Sequence, residues 1–590
     1  MKKINTVIIF FLIQNCYAQT FNYNRAWATY FGDESTSING AKVDSDGNLY
    51  IVGGVNQQDF TDSNFVATLN SFQVNYGGGG SDGFIAKISP NGTLLWSTFF
   101  GGENADIIND ICIDKANNIY VFGGTASINT NISTVGAYQT NINGTADSFI
   151  AKFSSDGSNK IWATYYDSFD SPTGNDIAGG GSTLVIDDYD NLYFTVVTSN
   201  PNMATANTFQ TAINSTNSMN TNALISKFDH NGQRIWASYY GINGSIIRSL
   251  DVSTTGLYIE GTSLDCFPNY SSNSYFATFG CHQLTPGSCK DIFLTKFSLD
   301  GGRLWSTYYG NSTTEFLKGN SLKCVDNYVY VTGASGSSIG LTTSGSFLEN
   351  TAGGYSSFLS KFDENGVRQW GTMCYMPINN GTIPYSNICS DLNGNVYLGD
   401  SSNLPGNSTI GAYQENIAGG SDCYIIKFNS NGERQWGSYY GGLNDEFSLK
   451  TLCFNDNFYF VGTTKSTNNI STSNSLQLNY TTNSYQNLNL NPTNIFIAKF
   501  ESSLMSINQN NINTFDLYPN PNNGCFTISF NNNSDENSSL TLYDIMGKKI
   551  LSQKLNNTET IIKLNNLTSG IYLAKISNTN QIITKKIIIE

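Results

Sequence analysis

The chain has 590 residues, about four times the length a single compact core usually organises, so one core is excluded and several domains or a repetitive architecture are required. Only 13% of the residues are charged, 30 Lys and Arg against 45 Asp and Glu, and the formal charge of −15 disfavours nucleic acid or anionic lipid as a partner. With 39% hydrophobic residues, 34 Tyr, 36 Phe and 56 Gly, the composition excludes a disordered chain and favours strands joined by turns.

The first segment, Met1-Lys2-Lys3, an apolar run from Val7 to Ile13 and then Cys16-Tyr17-Ala18, has the charged, greasy and small-residue zones of a secretory signal peptide over residues 1–18. Cleavage after Ala18 would expose Gln19, and loss of the two leader lysines would take the formal charge from −15 to −17. Lipidation of Cys16 is the weaker reading, because Asn15 stands where a small residue normally precedes a lipidated cysteine. The run is short for a bilayer span, and no later stretch reaches about 20 apolar residues, so no transmembrane segment is expected.

Beyond the leader the chain is periodic. Trp27, Trp96, Trp162, Trp236, Trp305, Trp370 and Trp436 recur every 65 to 74 residues, mostly before an aromatic pair and a glycine, as in Trp96-Ser-Thr-Phe-Phe-Gly101. A second marker, Tyr50, Tyr120, Tyr193, Tyr258, Tyr330, Tyr397 and Tyr459, follows each Trp by 22 to 31 residues. Apolar alternations such as Asp110-Ile-Cys-Ile-Asp114 lead into these tyrosines through Asp, Asn and Gly turn residues, which reads as a hairpin. The fourth element is Phe84-Ile-Ala-Lys87-Ile, with Lys152, Lys227, Lys296, Lys361, Lys427 and Lys499 marking its other copies. Period-two alternation puts Phe84, Ala86 and Ile88 on one face and Ile85 and Lys87 on the other, so both faces of each sheet offer apolar surface to a neighbour. Four strands per unit and seven units predict an all-β, seven-bladed β-propeller over residues 19–501. A linear solenoid is the rival. The first unit lacks a Phe-Ile-Ala-Lys strand before Trp27, and the last such strand, Phe496 to Phe500, lacks a Trp strand after it, so pairing of the two ends would complete one blade and close a ring. Polar capping repeats, which a solenoid would want, are not apparent.

A fifth marker lies in the long connection: Phe72-Gln73, Tyr138-Gln139, Phe209-Gln210, His282-Gln283, Phe347-Leu348, Tyr413-Gln414 and Leu476-Gln477. An inward plug and a glutamine amide serving loop backbone groups are expected there. In this order of motifs, over residues 27–500, the chain resembles the SBBP-type β-propeller repeat family, a resemblance that implies fold and export more than any reaction.

Ten cysteines follow the leader. Cys112, Cys324, Cys389 and Cys453 fall in apolar strand patterns and read as small buried hydrophobes, whereas Cys281 and Cys289 form the candidate disulfide in a loop-rich stretch. No spacing resembles a zinc site.

Past Phe500, residues 502–514 read as an Asn-rich linker before a second domain at 515–590. Tyr518-Pro519-Asn-Pro521, Gly524, Leu542-Tyr-Asp-Ile-Met-Gly547, Leu567-Thr-Ser-Gly570-Ile-Tyr-Leu573 and the ending with Lys585 and Lys586 closely resemble the type A C-terminal sorting domain of type IX secretion cargo. Strands at Phe526–Phe530, Leu540–Tyr543, Thr560–Leu564, Ile571–Ile576 and Ile582–Ile589 predict a small β-sandwich. The resemblance implies engagement of the type IX secretion machinery, passage over the outer membrane, and an extracellular location or attachment to the outer-membrane surface.

Chemistry is sparse. His230 reads as a solvated turn residue and His282 fills a plug slot, so no catalytic set of Ser, His and Asp assembles. No cofactor is expected, although Asp44-Ser-Asp-Gly47 and Asp187-Asp-Tyr-Asp190 offer oxygens that calcium could use; hairpin-turn chemistry is the preferred reading of both. The loops in which units differ are the candidate ligand-facing regions, with Asp167 and Asp170 in the third unit, Tyr375 and Tyr385 in the sixth, and Tyr480 and Tyr485 in the seventh. The function expected is a noncatalytic binding or adhesion module for a surface glycan or protein. The alternative is an extracellular carbohydrate-active hydrolase or lyase using carboxylates near the propeller axis.

Overall fold

The computed structural model describes residues 21–56, 67–128, 132–166, 183–214, 221–242, 245–263, 275–288, 290–311, 313–317, 320–350, 354–374, 386–481, 493–503, 515–530, 538–544, 548–555, 559–564, 567–577 and 582–589. The signal-peptide reading therefore lies outside the described residues. The chain forms two compact units, Met1–Ser503 and Leu504–Glu590, and among the described residues every regular element is a strand.

Unit one is a succession of antiparallel sheets, each a propeller-like blade. The first sheet takes its strands in chain order, Thr36–Val43, Leu49–Val55, Asp82–Ile88 and Leu94–Phe100. The second runs from Asp106–Ile113 to Lys160–Tyr166, the third from Leu184–Ile186 to Arg234–Tyr240, and the fourth from Ile246–Ser253 to Arg303–Tyr309. In the fifth, two short strands, Glu315–Phe316 and Leu322–Val325, share the inner position against Tyr328–Ser335, so this sheet has five strands where four are expected. The sixth runs from Asn387–Ser390 to Arg434–Tyr440. The last sheet joins Glu446–Phe454, Asn457–Thr464 and Asn494–Ser502 to Tyr23–Phe31 from the start of the chain. In that pairing Trp27 stands opposite Lys499 and Tyr30 opposite Phe496, the register that Trp96 and Lys87 adopt in the first sheet.

Packing follows the alternation. Phe84, Ala86 and Ile88 bury against Tyr459, Val461 and Ile497 of the last sheet, while Ile85 faces Ile111, Val121 and Phe149 of the second. Each sheet thus contributes both faces to separate apolar layers, at roughly 25 cal/mol for every Å² removed from water. Each tryptophan is a lock between neighbours. Trp27 donates to the Pro90 carbonyl at 2.8 Å, and Trp236, Trp305 and Trp370 donate to the Leu299, Glu364 and Ser430 carbonyls in the turns of their next sheets. The same turns press a glycine onto the indole: a Cβ on Gly92, whose φ is +83°, would lie 2.8 Å from Trp27. Trp436 is covered instead by Phe21 and Tyr23, at ring separations of 4.8 and 5.3 Å.

The cysteine reading requires a correction. Cys389 and Cys453 are not merely small buried hydrophobes: they form a disulfide, with Cα atoms 5.7 Å apart, between the innermost strands of the sixth and last sheets. Two cysteines in apolar strand patterns cannot be recognised as partners until the 64-residue separation is folded back. Cys112 is buried as expected and Cys324 is half-buried. The Sγ of Cys281 lies 3.3 Å from the Gln283 carbonyl oxygen, and Cys289 lies outside the described residues.

Unit two packs the sheet Phe515–Tyr518, Cys525–Phe530 and Glu559–Lys563 against a four-stranded sheet of Lys549–Lys554, Ser539–Asp544, Gly570–Ser577 and Ile582–Ile589. Phe526, Ile528, Leu540, Leu542, Ala574 and Ile587 fill the space between them. Lys549–Lys554, mostly polar and exposed, is an edge strand that the apolar pattern does not announce. Asn520, between Pro519 and Pro521, ties the turn to the final strand: its Nδ2 donates to the Lys586 carbonyl and its Oδ1 accepts from the Ile588 amide. Lys585 and Lys586 pair in register with Ala574 and Leu573, Gly570 begins its strand, and Gly547 lies outside the described residues.

Candidate functional site

The repeated residues build a node at one end of the sheets. In the first sheet Asp44 Oδ1 accepts from the amides of Asp46 and Asn48, and Oδ2 accepts from Asn48 Nδ2 at 2.9 Å and Tyr50 Oη at 3.2 Å. Lys87 Nζ lies 3.4 Å from the same Oδ2 and 4.9 Å from the centre of the Tyr50 ring. Burial opposes ionisation of Asp44, but the Asn48 bonds and the Lys87 ammonium outweigh it and hold the carboxyl below its usual range. Asp114 with Tyr120 and Lys152, and Asp391 with Tyr397 and Lys427, repeat the node. In the third sheet Asp187 accepts from Asn191 and Tyr193 in the same way. The two acidic loops that could have offered oxygens to calcium spend Asp44 and Asp187 on hairpin and tyrosine contacts.

The opposite ends of the strands carry a second repeated position that the sequence reading passed over. A polar residue precedes each Phe-Ile-Ala-Lys element, and at six sheets it is Asp82, Asp147, Asn222, Asp291, Asp422 or Asn494. Asp82 Oδ2 accepts from the Gly77 amide and from Gln73 Nε2, whose own Oε1 accepts from the Gly101 amide at 3.2 Å. The plug glutamines thus serve loop backbone as expected. Three of these acids meet an acid of the next sheet: Asp82 meets Asp106, Asp291 meets Glu315, and Asp422 meets Glu446. Burial, reinforced by the neighbouring carboxylate, pushes Asp82 up to about 7 and Glu315 up to about 8. Asp106 rises to about 6, mainly by burial.

A cleft of about 500 Å³ opens at this end, lined by Glu34, Gly420, Leu443, Asn444, Asp445, Lys465 and Tyr480. Turns after the outer strands of the last and sixth sheets supply Glu34 and Asn444, and Lys465 follows the second strand of the last sheet. Lys465 Nζ pairs with Asp445 Oδ2 at 3.0 Å, and the Asn444 amide donates to Ser466 Oγ at 2.8 Å, which fixes the rim. Tyr480 stacks edge-on against Tyr30 with ring centres 6.0 Å apart. Burial and the adjoining Glu34 carboxylate push the Tyr480 phenol up to about 12, so it is a neutral donor across the physiological range. Leu443 stands 65% exposed beside these polar groups, giving the cleft an apolar shelf. The arrangement offers donors, acceptors and one aromatic wall, a surface suited to a polar, hydroxyl-rich ligand.

Of the candidate ligand-facing residues, Tyr480 is brought to this cleft. Asp167, Asp170, Tyr375, Tyr385 and Tyr485 lie outside the described residues. Near the inner strands, Asp110 Oδ2 accepts from the Leu184 amide, and Asp251 Oδ2 accepts from Lys323 Nζ at 2.9 Å and the Cys324 amide at 2.8 Å. These carboxylates serve neighbouring strands. His282, still solvent-exposed on one side, packs between Tyr309 and Phe362, and desolvation by these neighbours together with Arg368 depresses its pKa to about 4, so it is neutral at pH 7. His230 is exposed in its turn, its carbonyl accepting from Trp162 Nε1.

Residues 516–590 match the family model described as the secretion system C-terminal sorting domain. No curated protein matches the chain. Among solved structures, the chain is similar to Pyrococcus horikoshii acylaminoacyl peptidase at 8% identity and a TM-score of 0.35, covering 85% of this chain and only 59% of the peptidase. It is similar to the endosialidase of phage phi92 at 12% identity and a TM-score of 0.35, covering 96% and 87%. PorZ of Porphyromonas gingivalis, described as an essential bacterial surface component of the type IX secretion system, is similar at 9% identity and a TM-score of 0.17, covering 94% and 82%.

Proposed function

We propose that this exported chain is a closed, seven-bladed propeller of SBBP-type repeats that binds a glycan or protein at the cell surface without transforming it. The sorting domain at the C-terminus directs the chain through type IX secretion to the medium or the outer-membrane surface. Closure is supported by the pairing of Tyr23–Phe31 with Asn494–Ser502, and by the contact of Thr36–Val43 with Glu446–Phe454. The cleft around Tyr480 is the proposed ligand site, and the observation that carries the reading is its composition. Tyr480, Asp445, Lys465 and the Leu443 shelf line a solvent-open depression, whereas the described repeat carboxylates are committed to hairpins and neighbouring sheets.

Binding of the full mature chain to a panel of surface polysaccharides, with product analysis by chromatography, tests this. Retention without cleavage, lost in Tyr480→Ala, is expected. Cleavage abolished by Asp445→Asn would replace the reading with a carboxylate-dependent hydrolase or lyase, and retention unchanged in Tyr480→Ala would remove the cleft from it.

A further inference from the structure

The plug position departs from its pattern between the fourth and fifth sheets. At five other junctions a Phe or Tyr plug lies under a cation from the outer strand of the next sheet, as Arg303 stands 4.3 Å from the centre of the Phe209 ring and Arg234 stands 4.7 Å from that of Tyr138. Each of those cations is held on the negative face of a ring. Here the plug is His282 and the cation is Arg368, on the outer strand Arg368–Met373 of the fifth sheet. An imidazole is smaller than a phenyl ring and offers a poorer negative face, so both space and charge are left over.

A pocket of about 320 Å³ opens at this junction, lined by Gly280, Cys281, His282, Thr343, Val367 and Arg368 among others. Of its lining residues only Arg368 is charged. Arg368 Nη1 donates to the Gly340 carbonyl, which fixes the guanidinium, and no carboxylate pairs with it among the described residues. Neither ring nitrogen of His282 has a hydrogen-bond partner among the described residues, and Arg368 is the only charge that acts on it. The other polar side chains are occupied: Thr343 Oγ1 donates to the Gly371 carbonyl at 3.2 Å, and Cys281 Sγ donates to the Gln283 carbonyl at 3.3 Å. The polar groups left to a ligand are therefore the guanidinium N–H groups of Arg368 and the His282 ring, with Val367, 55% exposed, as an apolar side. A metal cation held by Cys281 and His282 would meet the Arg368 charge, so the same geometry disfavours it.

We propose that this pocket binds the carboxylate of a small organic acid, such as a sugar acid, against Arg368 and His282. A guanidinium presents paired N–H groups that match two carboxylate oxygens, and the neutral imidazole supplies one further N–H. One cation balances one negative charge, which favours a carboxylate over a phosphate dianion. The volume lies at the lower end of the range for small-molecule sites and suits a small ligand. The pocket shares no lining residue with the Tyr480 cleft and does not depend on it.

The test is saturation-transfer NMR of sodium glucuronate on the full mature chain at pH 7, with ionic strength held constant by sodium chloride. A saturable signal is expected, displaced by sodium acetate if any carboxylate suffices and by glucuronate alone if the sugar is also read; glucose should not displace it. Arg368→Gln should weaken binding about tenfold or more. His282→Phe, which installs the plug of the sister junctions, should abolish the signal with the unfolding midpoint unchanged or raised. Absence of a saturable signal, displacement by glucose, or a signal unchanged in both variants overturns the site. Displacement by sodium phosphate more effective than by acetate overturns the carboxylate assignment. A signal lost in Tyr480→Ala but kept in Arg368→Gln places the acid in the other cleft and likewise overturns this site.

Discussion

Replacing Asp82 with asparagine should stabilise the protein above neutral pH, against the expectation that removing a hydrogen-bonded acid is harmful. Asp82 is fully buried, its Oδ1 has no donor, and Asp106 lies near enough to raise it further. The third sheet carries the substitution naturally. There Asn222 Oδ1 accepts from the Asn214 amide at 2.8 Å and Nδ2 donates to the Gly241 carbonyl at 2.7 Å. An asparagine at position 82 would keep the Gly77 amide satisfied and direct its Nδ2 toward the equivalent Gly101 carbonyl. With the folded pKa near 7 against 3.8, the carboxyl retains its proton in the folded state while the unfolded chain has lost it. Stability from this group is therefore full below pH 4 and is lost as pH rises through about 7. At about 1.4 kcal/mol per pH unit, the loss by pH 8 is roughly 4 kcal/mol, of which the variant should recover about 2 to 4 kcal/mol. Calorimetric midpoints at pH 4.5 and pH 8 measure it: Asp82→Asn should raise the midpoint at pH 8 and leave it nearly unchanged at pH 4.5. An equal loss at both pH values would refute the reasoning, since it would mean the carboxylate is a needed acceptor rather than a desolvated charge.

The Asp44 type of node predicts the opposite slope. Asp391 is held below its usual range, because the Asn395 bonds and Lys427 outweigh burial, so its stabilisation is present above pH 4 and lost as pH falls through its folded value. Asp391→Asn should cost about 2 to 3 kcal/mol at pH 7 in chemical unfolding and much less at pH 2. Loss of the Cys389–Cys453 bridge, by reductant or in Cys453→Ser, should lower stability by about 4 kcal/mol, the value expected for a loop of this length, read as a shift of the urea midpoint. Gly92→Ala forces a side chain into a left-handed turn against the Trp27 ring and should lower stability by about 1 to 3 kcal/mol, with an increase in tryptophan exposure to acrylamide quenching. Tyr480→Ala should reduce ligand retention at least tenfold, about 1.4 kcal/mol, beyond the modest fall in unfolding midpoint that follows from losing its contact with Tyr30.

Much of the framework is legible in the sequence because each strand solves the same two-faced burial problem. Phe84-Ile-Ala-Lys87 alternates as its two apolar layers require, and the Trp, Tyr and Gln markers recur where one sheet meets the next. The tail sheets follow their apolar runs, while the polar edge strand Lys549–Lys554 has no such run to reveal it. The acids before the Lys strands are equally visible as a repeated column, yet their meaning is not local: Asp82 is perturbed by Asp106, which belongs to another sheet. The Cys389–Cys453 bond is hidden for the same reason. Tyr480 stands out as a variable-loop aromatic, but its partners Glu34 and Asp445 come from segments hundreds of residues and tens of residues away, so the cleft exists only once the first strand has joined the last sheet.

That joining is most directly measured by covalent capture. Asn24 and Glu501 are exposed register partners on Tyr23–Phe31 and Asn494–Ser502, so the double substitution Asn24→Cys and Glu501→Cys in an otherwise full chain should oxidise to a disulfide. The closed ring predicts, in mass spectrometry of the monomer band, a peptide pair joined within one chain between positions 24 and 501. Free thiols at both positions, or a bond found only between two chains, would contradict it.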